Sequence, residues 1–176
     1  MRMSWYQHIR TLTVVMMALI AIAIASGSAL SQAAQDPAEH VRAVLQQSAK
    51  AFASGDMTAL EKSWANDDSV TVFESGHANY GWADYRDNHL GPEMKEMKNT
   101  RYELTDIRVK VSGNTAWATF KYSIAADVGT RHVDGGGLGT AVLEKRGQDW
   151  KIVHWHSSAP RRPATPAASP AKSPGV

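Results

Sequence analysis

Residues 102–126, YELTDIRVKVSGNTAWATFKYSIAA, decide the fold. In the first half apolar side chains recur at every second position, and a slip at Thr105-Asp106 marks a bulge. Ser112-Gly113-Asn114 is a turn, and 115–126 alternates again, so the two runs form a long antiparallel hairpin. Working downstream, 136–145 and 150–158 are two further strands joined by a turn at 146–149. Upstream, SVTVFE at 69–74 is a short strand. Residues 76–92 read as a loop and a short helix holding Trp82, Tyr85, His89 and Leu90.

Before the strands the period is helical. Asp36 can cap, Pro37 suits a first turn and Glu39 sits at the capping-box position. Val41, Val44, Leu45, Ser48, Ala49 and Phe52 then form one stripe, which Gly55 ends. Asp56 can cap a second, short helix carrying Leu60 and Trp64. Helix, helix, strand, helix and a four-strand meander predict an α+β fold: a cone-shaped, curved antiparallel sheet with the N-terminal helices over its concave face, enclosing a pocket.

The ends read differently. Arg2 and Arg10 precede an unbroken apolar run of twelve residues, 14–25, and Ser31-Gln32-Ala33 offers a small-x-small cleavage site. Twelve residues of helix span only ~18 Å, short of a bilayer core. Residues 1–33 are therefore expected to be a signal peptide and the mature chain periplasmic or secreted, with no stable membrane span after cleavage. Residues 160–176, rich in Pro, Ala and Ser, are expected to form a disordered tail, leaving 34–159 as the domain.

The chain of 176 residues has a formal charge of +2. Residues 1–33 hold two cations and no acid, and 160–176 hold three and no acid, so 14 cations face all 17 acids between them. A mildly acidic body argues against nucleic acid as a partner. With no cysteine, disulfides, thiolate nucleophiles and Cys-ligated zinc are excluded.

Glu74, ending the first strand near the expected mouth, is a candidate acid or base, and His89 is a second candidate on the short helix. His154 and His156, two apart on the last strand, can converge on one ligand, or be inert at an edge or interface. Alternation puts Trp150, Ile152, His154, His156 and Ser158 on one face, but which face looks into the cone stays open. His77 sits in a loop of unknown direction; His40 and His132 read as surface residues. Of the tryptophans most are core, while one or two line a pocket. The run Gly135-Gly136-Gly137-Leu138-Gly139 reads as turn and bulge rather than as a phosphate loop.

Residues 51–56 (AFASGD) with Leu60 and Trp64, 72–76 (VFESG), Gly81-Trp82 through Asn88-His89-Leu90, 116–120 (AWATF), 139–143 (GTAVL) and 150–158 (WKIVHWHSS) together resemble the SnoaL-like branch of the nuclear transport factor 2-like superfamily, to which ketosteroid isomerase also belongs. The resemblance runs through 36–158. It implies a cone-shaped fold, a homodimer through the convex sheet face and an apolar pocket with few polar groups. Glu74, His89, His154 and His156 would face the mouth as catalytic residues, with Trp82, Tyr85 and Trp117 as ligand-binding residues. The expected function is an exported pocket protein for a small-molecule ligand, largely apolar or aromatic, with cofactor-free acid–base chemistry of the isomerase, cyclase or dehydratase kind. The alternatives are a non-catalytic binding or assembly module, or a metal site from His154, His156 and His89, with or without Glu74. No cofactor and no resident metal are expected.

Overall fold

The computed structural model describes residues 36–160, so the signal-peptide reading and all but Pro160 of the tail reading lie outside the described residues. Two compact units divide the chain, residues 1–40 and 41–176. Of the first, residues 36–40 are described: Asp36 accepts from the Ala38 amide at 3.0 Å and opens helix α1, Pro37–Ser54. Everything below concerns the second unit.

Helix α1 buries Val41, Val44, Leu45, Ser48, Ala49 and Ala51, the stripe its period predicts apart from Phe52, which is half-buried. Gly55, at φ 72°, closes it. Asp56 caps α2, Met57–Ser63, by accepting from the Ala59 amide at 2.9 Å.

Strand β1, Thr71–Glu74, turns back into β2, His77–Tyr80, so the expected loop opens as a strand. Ser75 and Gly76, at φ 51° and 84°, form the two-residue turn, with both residues at positive φ as a type I′ hairpin requires. The strand escapes sequence reading because it is four residues long, at a sheet edge, and mostly exposed. A helical stretch follows: α3, Trp82–Tyr85; a π-helical turn, Arg86–Leu90; and α4, Gly91–Glu96.

Strands β3 (Met97–Ser112), β4 (Thr115–Val128), β5 (Arg131–Arg146) and β6 (Asp149–Ser158) form the antiparallel meander. The sheet order is β2-β1-β6-β5-β4-β3. Because β1 lies parallel to β6, the sheet is mixed rather than wholly antiparallel, and it does not close. The helical stretch and the meander supply the long connection that a parallel pair needs. Its covered face holds the core, where Val72, Ala118, Ala141, Leu143 and Ile152 meet Leu45, Leu60 and Trp82.

Two local features depart from simple alternation as read from the sequence. The glycine run is neither turn nor bulge: β5 pairs with β4 through it without a register shift. A Cβ on Gly139 would lie 2.1 Å from the Phe120 ring, whereas one on Gly137 would collide with the Ser158 carbonyl oxygen and lie 2.9 Å from the Tyr122 ring, so Gly139 makes room for a ring and Gly137 for the backbone of β6. In β6 the register slips between Ile152 and His154, leaving Val153 as an extra residue. Trp150 and Ile152 therefore share the covered face with Trp155 and Ser157, not with the two histidines.

Candidate functional site

Between the covered face of the sheet and the helices lies a cavity of about 600 Å³. Its apolar lining includes Phe52, Leu60, Trp64, Leu90 and Trp155, and its polar lining includes Glu74, His77, Asn79, His89 and Glu93. Tyr85, Tyr102 and Tyr122 add hydroxyls.

Glu74 is placed by backbone register. It ends β1 opposite Ser157 of β6, whose hydroxyl donates to Oε1 at 3.1 Å. The Tyr85 hydroxyl donates to Oε2 at 3.3 Å. Burial, aided by the Glu74 charge, pushes the Tyr85 hydroxyl well above the usual tyrosine range, so it stays a donor.

His89 is placed by the π turn. The Gly91 amide donates to the Arg86 carbonyl five residues back. No Cβ fits at Gly91, since it would lie 2.7 Å from that same oxygen. Pro92, which has no N–H, follows. The ring Nδ1 of His89 is 2.8 Å from the Asn79 Oδ1. Asn79 in turn donates through Nδ2 to Asp84 at 3.0 Å, which leaves Oδ1 as the acceptor and assigns the proton on His89 to Nδ1. Hydrogen bonds from Asn88, Asn79 and the Tyr80 amide hold the Asp84 carboxyl below the usual range. The other ring nitrogen, Nε2, lies between two carboxylates, 3.5 Å from Glu93 and 4.0 Å from Glu74. Burial raises the Glu93 carboxyl, a shift that His89 opposes and Glu74 reinforces.

Of the candidates read from the sequence, the structure brings together Glu74, His89 and Tyr85. His77, paired with Glu74 in the hairpin, also lines the cavity. His154 and His156 lie on the opposite face. His154 bonds the Thr71 hydroxyl at 2.7 Å and packs against Phe73, and burial lowers its basicity. His156 is exposed beside it. They cannot share a metal with His89, and among the described residues no group of three or more His, Asp or Glu could hold one.

Trp82 is buried one layer back, stacked on Trp64 at 5.4 Å. Trp117 is exposed on the face away from the cavity, in the cross-strand row Tyr80, Thr71, His154, Val142, Trp117. Sequence reasoning missed Asn79, Asp84, Glu93 and Ser157. The His89–Glu93 spacing of one helical turn was a signal for one of them; Asn79 and Ser157 depend on strand register, and Asp84 on how α3 meets β2.

Among the described residues no helix is long and apolar enough to cross a membrane. The profile of the SnoaL-like domain family matches residues 41–162. A nuclear transport factor 2-like superfamily protein from Salmonella enterica superposes with a TM-score of 0.66 at 18% identity, covering 74% of this chain and 95% of that one. A candidate dehydratase of the same family from Streptomyces avermitilis gives 0.65 at 20%, covering 72% and 97%. A candidate ketosteroid isomerase from Shewanella frigidimarina gives 0.58 at 23%, covering 65% and 91%. No curated protein matches. At these identities the structures are similar in fold alone, and the profile match carries the assignment: the chain belongs to the SnoaL-like domain family.

Proposed function

We propose that the protein is an exported pocket protein that binds a small, largely apolar or aromatic molecule and moves a proton on it without a cofactor. The observation that carries this reading is His89, its tautomer held by Asn79 and Asp84, with Nε2 aimed into the cavity beside Glu74. The Asn79 bond fixes the ring, so Nε2 is the nitrogen that exchanges a proton, with Glu93 and Glu74 within 4.0 Å to receive or return it. Tyr85, whose hydroxyl keeps its proton, is the donor for an oxygen on which charge develops when it exchanges its 3.3 Å bond to Glu74 for one to the bound molecule. The similar structures include a candidate dehydratase and a candidate ketosteroid isomerase, which is compatible with this chemistry.

The test is deuterium exchange at the α-carbon of α-tetralone, an enolisable aryl ketone, followed by NMR in D₂O. Exchange above buffer is expected, and His89→Ala should slow it by ~10²–10⁴. An unchanged rate in a folded His89→Ala protein removes the catalytic role. Saturable binding without exchange selects the second reading, a binding module. That reading is favoured by Glu74, whose two oxygens already accept from Ser157 and Tyr85.

The opposite face of the sheet completes the proposal. Phe73, Tyr80, Trp117 and Leu138 expose 38–66% of their surface there, and we assign that face to a second copy of the chain. Export rests on the sequence of residues 1–33 and is tested by cell fractionation.

A further inference from the structure

We propose that the cavity selects molecules carrying a positive charge, in particular an aryl- or alkylamine whose ammonium group sits on the wall that carries Glu74 and Glu93 and against the tyrosine rings. This rests on the pocket reading above and adds the charge class of its occupant.

Three observations carry it. The fixed charges lining the cavity are all of one sign: Glu74, Glu93 and Glu96, with no lysine or arginine among the lining residues. Arg86, close in sequence to His89, is turned to Asp87 at 2.7 Å and Glu61 at 3.4 Å and leaves His89 as the partner of Glu74 and Glu93. The two carboxylates stand on one stretch of wall, since both have His89 Nε2 as a neighbour, at 4.0 Å from Glu74 and 3.5 Å from Glu93, and burial raises the Glu93 carboxyl. Such crowding is relieved when a cation enters.

The walls fit the same occupant. Tyr85, Tyr102 and Tyr122 line the cavity with Trp64 and Trp155, and the electron-rich face of an aromatic ring attracts an ammonium group. Burial, with the Glu74 charge adding to it, raises the Tyr102 and Tyr122 hydroxyls, so these rings stay neutral. An anionic molecule of the same shape meets only repulsion from the carboxylates, with His77 and His89 the sole nitrogen bases on the wall.

The test uses three probes of one shape: 3-phenylpropylamine, 3-phenylpropan-1-ol and 3-phenylpropanoate, each titrated calorimetrically into the purified protein at pH 7.5. The amine should bind one to one and at least tenfold more tightly than the alcohol, with the propanoate weakest. Glu93→Gln should weaken the amine about tenfold and leave the alcohol unchanged, and Glu74→Gln should act in the same direction. Added salt should narrow the gap between amine and alcohol, a readout on the unaltered protein that needs neither variant to fold. An alcohol or propanoate that binds as tightly as the amine overturns the charge preference and leaves the pocket reading standing. No binding by any probe to the folded protein overturns both.

Discussion

Replacing Gly139 by alanine tests why β5 carries its glycines. The new Cβ would lie 2.1 Å from Cε2 and 2.5 Å from Cζ of Phe120, while ordinary contact starts near 3.4 Å. The ring must therefore retreat by more than an ångström. It has little room, being 3% exposed and 4.7 Å from the Trp155 ring. Forcing a methyl group into a packed core costs about 1–3 kcal/mol. Gly139 does not have a positive φ, so alanine recovers about 0.4–1 kcal/mol by restricting the unfolded chain. The net expectation is a loss of about 1–2 kcal/mol, a fall in Tm of roughly 4–10 °C for a domain of this size.

The assay is urea unfolding of Gly139→Ala, Phe120→Leu and the double variant. Leucine removes the part of the ring that collides, so the double variant should be more stable than the sum of the single losses predicts. The coupling should be about 1 kcal/mol or more. A Gly139→Ala protein within about 0.5 kcal/mol of the parent, or two losses that simply add, would refute the argument.

Gly91→Ala should cost about 1–3 kcal/mol by thermal unfolding and weaken probe binding, because its Cβ meets the Arg86 carbonyl at the π turn that places His89. Glu93→Gln should raise Tm at pH 8 and match the parent near pH 3.5. A carboxyl raised in the fold contributes stability below its unfolded pKa of about 4.3 and loses it as pH rises through the folded value. Equal gains at both pH values would contradict that sign. Trp117→Glu should leave monomer stability within about 0.5 kcal/mol and convert a dimer to monomers in light scattering, since Trp117 is 46% exposed on the outer face.

What could be read in advance follows from how local each signal is. The meander was legible because alternation over ten or more residues survives a bulge, and the caps at Asp36 and Asp56 act within three residues. Strand β2 was not, since four residues with one buried side chain carry no period. The glycine run misled because its purpose lies on the neighbouring strands, in the Phe120 ring of β4 and the Ser158 carbonyl of β6. Glu74, His89 and Tyr85 could be proposed from residue type and position. Their meeting depends on the parallel pairing of β1 with β6 and on the π turn, which no spacing announces.

The extra residue at Val153 has a further meaning for how such a pocket changes over generations. It divides β6 into a half whose phase is set by the core and a half whose phase is free to be reset. Drawing Val153 into the ladder opposite Val142, instead of leaving it bulged, would shift everything after it by one step. Trp155 and Ser157 would leave the cavity, and His154 and His156 would enter it beside Glu74. The outer histidines are thus a second lining held in reserve, one register step away from a site of different chemistry.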